Sequence, residues 1–260
     1  MTRGTRACCT LAAILSLSGC ALLSSNTPSD TASPPCAVQG VVFAVDGAGG
    51  FELFSRTIRN AASTENLPLE VRTFRWTHGY CRVLADQIHA ANLRRQGREL
   101  AEMVLACRRE CPERPVYLMG HSAGCGVVLR AAEDLPTNTL ERILLLAPAV
   151  SATHDLRPAL ASACRGIDAF ISYHDWACLG LGTLLAGTTD RCWEFGASGK
   201  DGFQLIVNGP EDEALYAKLR QHRWDPSLKW TGHKGGHYGA YQPRFLRLFV
   251  LPLLVPTADQ

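Results

Sequence analysis

No run of lysine or arginine long enough to suggest a nucleic-acid partner occurs in the 260 residues, and 26 basic against 24 acidic side chains leave a formal charge of only +2. The electrostatic footprint of a nucleic-acid binder is therefore missing, and nucleic acid is not expected as a partner. Past residue 20 there is no C-x-x-C pair, so no spacing suggests a zinc site, and neither metal nor cofactor is expected. No internal repeat is visible. No segment is apolar over the roughly 20 residues that a membrane-crossing helix needs; residues 242–254, rich in Leu and Phe, are too few and are interrupted by Arg244 and Arg247. Charged residues make up only 19%, whereas 47% are hydrophobic. A chain of this length and balance suits one α/β domain with a single substantial core.

The N-terminus carries Arg3 and Arg6, then the short apolar stretch Leu11-Ala12-Ala13-Ile14-Leu15, then Leu17-Ser18-Gly19-Cys20. That order is the pattern of a secretory signal peptide. Its last four residues resemble the bacterial lipobox, which implies cleavage before Cys20 and lipidation of its sulfur. With Ala21 rather than Asp next, the resemblance implies an outer-membrane anchor facing the periplasm. Residues 24–35, rich in Ser, Thr and Pro, read as a solvated tether. The expected division is a signal peptide over 1–19, a lipidated tether over 20–36 and a folded domain over 37–260. Loss of Arg3 and Arg6 with the leader would make the mature chain close to neutral.

Eight cysteines remain beyond the leader and Cys20, an even number in an exported chain. Two local disulfides are geometrically plausible: Cys107 with Cys111 at a helix end, and Cys178 with Cys192 across a loop. Cys125 is expected to be a free core thiol.

Beyond the tether, strand-like and helix-like segments alternate. Val41-Val42-Phe43-Ala44-Val45 is apolar throughout, as in a strand buried on both faces of a parallel sheet. A helix is expected over about 51–63, a strand over 69–76, a long helix over 85–111, and strands at 116–119, 142–147 and 167–173. Residues 176–210 look irregular, 211–220 helical, 227–230 like a last strand, and 242–254 like a closing helix. The result is a mostly parallel sheet of about six strands with helices on both faces, whose ligands gather beyond the carboxyl ends of the strands.

Gly120-His121-Ser122-Ala123-Gly124 follows the strand-like Val116-Tyr117-Leu118-Met119 and precedes a helix-like run. This G-x-S-x-G spacing in a strand-turn-helix setting makes Ser122 the candidate nucleophile, because neighbours without side chains let a serine stand exposed on a sharp turn. A serine hydroxyl needs a base, and the base needs an acceptor that fixes its tautomer. His237, on the Gly-rich turn Gly235-Gly236-His237-Tyr238, is the candidate base, with His233 as runner-up. Asp175, just after a predicted strand, is the candidate acid. Asp155 is its alternative, Asp168 lies at the wrong end of its strand, and Asp190 and Asp201 are weaker choices. The oxyanion of a tetrahedral intermediate needs two donors. These are assigned to the N–H of Ala123 and, in the loop Asp46-Gly47-Ala48-Gly49-Gly50, the N–H of Ala48, with Gly49 next. That loop lacks the Lys-Ser/Thr of a phosphate-binding loop and the G-x-G-x-x-G spacing.

The elbow, the glycine loop and the chain order Ser122, Asp175, His237 resemble the α/β-hydrolase family over roughly residues 41–254. The resemblance implies an acyl-enzyme route acting on a small-molecule or lipid ester, with thioester, amide and acyl-transfer chemistry open to the same triad. A non-catalytic envelope lipoprotein of the same fold is the competing reading. Two departures stand out: Asp46 replaces the histidine that many members carry before the first loop glycine, and two leading antiparallel strands are absent. Only about twenty residues separate Ala147 from the next strand, which leaves no room there for a lid domain.

Overall fold

The computed structural model describes residues 39–83, 86, 90–175, 188, 189 and 197–255. All of these belong to one compact unit, Cys36–Gln260. The expected pairing of Cys178 with Cys192, and Cys20 with its lipid, lie outside the described residues. Among the described residues, no helix is long and apolar enough to cross a membrane.

Six strands form one sheet: β1 (Gly40–Val45), β2 (Leu69–Phe74), β3 (Val116–His121), β4 (Arg142–Leu146), β5 (Ile167–Ile171) and β6 (Leu219–Arg223). Their order is β2-β1-β3-β4-β5-β6, and every neighbouring pair is parallel. The helices are α1 (Leu53–Thr64), α2 (Ala90–Glu110), α3 (Gly124–Glu133) and α4 (Arg157–Ser162), with short later helices at Ser198–Asp201 and Pro210–Tyr216.

Alternation along each strand builds two cores. Val41, Phe43, Val45, Leu118, Ile143, Leu145 and Ala169 pack with α2, α3 and α4 on one face. Val42, Ala44, Tyr117, Met119, Leu144, Leu146 and Phe170 meet α1 and the C-terminal turns on the other. A strand covered on both sides has no polar face, which is why the central strands read as unbroken apolar runs. The crossover from β4 to β5 contains only α4, so no lid domain interrupts it.

Three expectations need correction. Residues 227–230 are not a strand; Pro226–Thr231 is a 3-10 turn, started by a proline and capped by the Asp225 side chain, which accepts from the Ser227 N–H at 2.8 Å. The sixth strand is instead Leu219–Arg223, an edge strand of sequence LRQHR that cuts short the helix expected over 211–220. The closing helix over 242–254 is broken into short turns, Pro243–Phe245, Leu246–Val250 and Leu251–Leu254, with Pro252 in the last of them. The cysteine pairing also differs. Cys107 is a buried free thiol, while Cys111 is disulfide-bonded to a partner outside the described residues. Cys125 is a free buried thiol that donates to the Leu146 carbonyl at 3.7 Å.

Asp168, passed over as a catalytic acid, has a structural task. Its side chain is fully buried and is gripped by Arg142 at 2.6 Å, His222 at 2.7 Å and Arg220 at 2.8 Å, linking β4, β5 and β6. Burial opposes its charge, but the bonds from His222, Arg220 and Arg142 outweigh that and hold the carboxyl below the usual carboxylate range. A folded-state value depressed below the unfolded one adds stability above about pH 4, and that stability is lost as pH falls through the depressed value. Because Arg220 and His222 are 41% and 39% exposed, their share is screened. Asp168→Ala is therefore expected to cost about 3 kcal/mol, the low end for a broken buried pair. Urea midpoints should show that loss undiminished from about pH 5 to 8 and shrinking only in more acid solution. A loss that grew as pH fell would contradict the assignment.

Candidate active site

The sheet order turns at β1 and β3: the chain steps from β1 outward to β2, then back past β1 to β3. Where connections diverge in this way, a crevice opens beyond the carboxyl ends of the two strands. The glycine loop leaves β1 on one side of that crevice and the Ser122 turn leaves β3 on the other.

Ser122 has φ = 53°, in the left-handed region that a non-glycine residue seldom occupies. Its N–H donates to the Leu146 carbonyl at 3.0 Å, and its own carbonyl accepts from Cys125 at 3.1 Å and Ala149 at 3.2 Å. The surrounding backbone thus fixes the strained turn. Both motif glycines are close approaches. A Cβ at Gly120 would lie 2.8 Å from the Cys125 Cα, and one at Gly124 would lie 2.4 Å from the Asp46 carbonyl oxygen. The latter contact brings β1, its loop and the start of α3 together. A Cβ on Gly47 would stand 3.2 Å from that of Ser122, so the glycine loop runs directly over the elbow.

The loop itself is held from three sides. The Asp46 carboxylate accepts from the Phe54 N–H at 2.8 Å and the Ser55 N–H at 3.3 Å, capping the first turn of α1. Burial nevertheless raises its pKa, with those bonds partly compensating. The acid that replaces a histidine here therefore faces a helix end. Trp76 Nε1 donates to the Asp46 carbonyl at 2.8 Å. Asp86, 1% exposed, accepts the Gly49 N–H at 2.8 Å and the His78 N–H at 2.7 Å, and also meets His78 Nδ1 at 2.8 Å. Gly49 is thereby removed as an oxyanion donor. Among the described residues, no backbone acceptor meets the N–H of Ala48 or Ala123.

The loops after β5 and β6 supply the other pair. Asp175 is 2% exposed, and its Oδ2 lies 2.6 Å from Nδ1 of His237, itself 8% exposed. Ser172 Oγ donates to the Gly235 carbonyl at 2.6 Å, tying the two loops beside this contact. An ionised carboxylate only accepts, so Nδ1 carries the proton and Nε2 keeps its lone pair. His237 stands against the elbow: its ring centroid is 4.7 Å from that of His121, and its carbonyl oxygen is 3.1 Å from His121 Nε2.

His233 is also buried, but its Nδ1 accepts the Gly235 N–H at 3.0 Å, and its carbonyl accepts from Trp224 Nε1 at 2.9 Å. Burial pushes its pKa down to about 4, although Asp175 pulls the other way. It is a neutral pin inside the turn that presents His237. The alternative acids are engaged elsewhere: Asp155 pairs with Arg157, Asp168 with Arg142, Arg220 and His222, and Asp201 with Lys200. Asp190 lies outside the described residues. Among the described residues, no group of three or more His, Cys, Asp or Glu is placed to hold a metal ion.

Sequence reasoning missed His121 and Asp86. For His121 a signal exists, because period-two alternation puts it on the same face of β3 as Tyr117 and Met119, toward the C-terminal turns. Asp86 meets Gly49 across 37 residues, and no local pattern announces that contact.

Known proteins bear on this architecture. A family model described as "Serine aminopeptidase, S33" matches residues 78–192, a span that holds the elbow and Asp175 but neither the glycine loop nor His237. That match covers less than half of the chain; the all-parallel sheet and the strained serine turn after β3 agree with the α/β-hydrolase resemblance of the sequence. Among solved structures, a protein of Xanthomonas campestris pv. campestris assigned to the alpha/beta hydrolase superfamily is 16% identical (80% of this chain, 97% of that chain, TM-score 0.42). Trichoderma reesei cutinase is 15% identical (85% and 78%, TM-score 0.41), and a cutinase-like protein from Cryptococcus sp. 13% (85% and 97%, TM-score 0.41). Identities and scores this low transfer no substrate and no residue role to this chain. Comparison with curated proteins gives no match.

Proposed function

We propose that the chain is a serine hydrolase that cleaves carboxylic esters through an acyl-enzyme. The reading is carried by one observation: a buried Asp175–His237 pair, joined at 2.6 Å, packs on His121, the residue that directly precedes a serine held at φ = 53°. His237 Nε2 takes the Ser122 hydroxyl proton as Oγ forms a bond to the ester carbonyl carbon. The resulting oxyanion meets the N–H groups of Ala123 and Ala48. The carbon–oxygen bond to the alcohol then breaks, and the imidazolium returns its proton to the departing oxygen. Water, deprotonated by the same nitrogen, releases the acid and restores Ser122. Asp175 holds the imidazole in the required tautomer and stabilises its positive form without taking the proton.

The test is labelling by a fluorophosphonate, which traps activated serines, together with turnover of a p-nitrophenyl ester series and of aminoacyl amides. Labelling with ester turnover is the expected result. Turnover of amides alone would make the enzyme an amidase or peptidase, and absence of both labelling and turnover would leave a non-catalytic binding protein.

The N-terminal pattern supports a companion proposal, that Cys20 carries lipid and anchors the domain to the outer membrane facing the periplasm. Cys20→Ser is expected to abolish palmitate incorporation in cells and to leave the leader uncleaved. Wild-type protein recovered in the soluble periplasm without lipid would overturn it.

A further inference from the structure

His121 occupies the variable position of the elbow, yet its ring does not face solvent. It is 4% exposed and enclosed by Phe54, Tyr238, Tyr241 and His237, with ring centroids 5.8, 5.8, 4.9 and 4.7 Å away. Its Nε2 lies 3.1 Å from the main-chain carbonyl oxygen of His237. A carbonyl oxygen only accepts, so the proton of that contact sits on His121 Nε2. Burial first, and the nearby His237 second, push its pKa well below the ordinary histidine value, so the ring is neutral and has no second proton for Nδ1. That bare Nδ1 lies beside the glycine loop, 3.3 Å from where a Cβ on Gly47 would stand. One buried imidazole therefore touches the loop carrying the candidate base and the loop carrying the second oxyanion donor, and is covalently next to Ser122.

We propose that His121 is a positioning residue: its Nε2–H holds the His237 main chain and thereby sets where the His237 imidazole stands relative to Ser122. The inference rests on the reading that Ser122 and His237 act together. The Asp175 contact fixes only the tautomer and one end of the His237 ring; a swing about that contact is left open. Anchoring the carbonyl of the same residue closes it. Errors of about 1 Å in such placement cost on the order of 100-fold in rate, whereas substrate binding need not change. Loss of the His121 bond should thus appear in kcat rather than KM.

Two replacements separate this role from simple packing. In His121→Gln the terminal amide can offer an N–H close to where Nε2 stood; in His121→Leu the volume is filled without a donor. With a p-nitrophenyl ester, His121→Leu is expected to lower kcat about 10- to 100-fold with KM within about twofold of wild type. His121→Gln should recover to within about threefold. Fluorophosphonate labelling rates should fall in parallel with kcat, and thermal melting identifies variants that have failed to fold. Equal kcat for folded Leu and Gln variants, whether high or low, would overturn the proposal.

A second arm needs no turnover. Two-dimensional 1H–15N NMR of the wild-type imidazoles should show His121 protonated at Nε2 alone at neutral pH. In His121→Leu, the His237 ring signals should shift while the protein remains folded. A proton on His121 Nδ1, or unmoved His237 signals, would overturn the proposal. Should wild-type protein neither label nor turn over ester, the hydrolase reading fails, while this arm still decides the bond.

Discussion

Ser122→Ala is expected to remove all fluorophosphonate labelling and to lower kcat for ester hydrolysis by about four to six orders of magnitude. The size follows from the chemistry: without Oγ no acyl-enzyme forms, and only water attacking within a polarised site remains. The fold should survive. Ser122 is half-buried on the turn, and its backbone is fixed by the Leu146, Cys125 and Ala149 contacts, none of which involves the hydroxyl. Alanine suffers the same strain at φ = 53° as serine does, so the melting temperature should change little. Glycine at this position escapes the strain, and Ser122→Gly should be as inactive as Ser122→Ala but more stable than it by about 1 kcal/mol. Stability and activity would then move in opposite directions at one residue, as expected where a turn is strained to expose a nucleophile. Persistent labelling in Ser122→Ala would remove the serine from the mechanism.

The elements that were legible in the sequence are those whose physics is local. β1, β3, β4 and β5 are covered on both faces and therefore show as apolar runs; the glycines at 120 and 124 show because backbone crowds them on both sides. β6 did not show, because an edge strand buries little: Leu219, Arg220, Gln221 and His222 are all half-buried and Arg223 is exposed, which leaves no alternation to read. The segment 227–230 has strand-like composition, but Pro226 and the Asp225 cap decide its conformation. The closing segment has helical composition but prolines at 243 and 252, and its apolar residues pack as separate turns against α1 and the sheet.

The candidate site divides in the same way. Ser122 and Asp175 can be placed by asking which polar residues follow the carboxyl ends of strands, since topology brings those ends to one edge. The sequence places His237 after a strand at 227–230 that is a 3-10 turn, and the strand that leads to its loop is β6, Leu219–Arg223. Which histidine turns inward is a different kind of question. His233 and His237 share a Gly-rich turn and are both buried, and only three-dimensional contacts distinguish them: Trp224, Phe245 and the Gly235 N–H claim the first, Asp175 the second. Asp86 and His121 act over 37 and 116 residues of sequence separation, which no local pattern records.

That contrast between the two histidines gives the second large effect. His237→Ala is expected to lower kcat by about as much as Ser122→Ala does, and the double variant should be scarcely worse than either, because residues that act as a unit are not additive. Asp175→Asn should cost about four orders of magnitude. The amide would offer an N–H to Nδ1, favouring the tautomer whose proton sits on Nε2, where the hydroxyl proton must be received. The loss should therefore fall on kcat, with KM nearly unchanged and the fold intact. His233→Ala should behave otherwise. It removes an acceptor for the Gly235 N–H and leaves a void beside Phe245 and Trp224, so its main effect is a lower melting temperature, with activity reduced only as far as the turn loosens. The ordering to be measured is kcat for the three variants beside their melting temperatures. A crippled but thermally normal His233→Ala, paired with an active His237→Ala, would exchange their roles; the reverse pattern ties the base to the carboxylate that lies 2.6 Å from its ring.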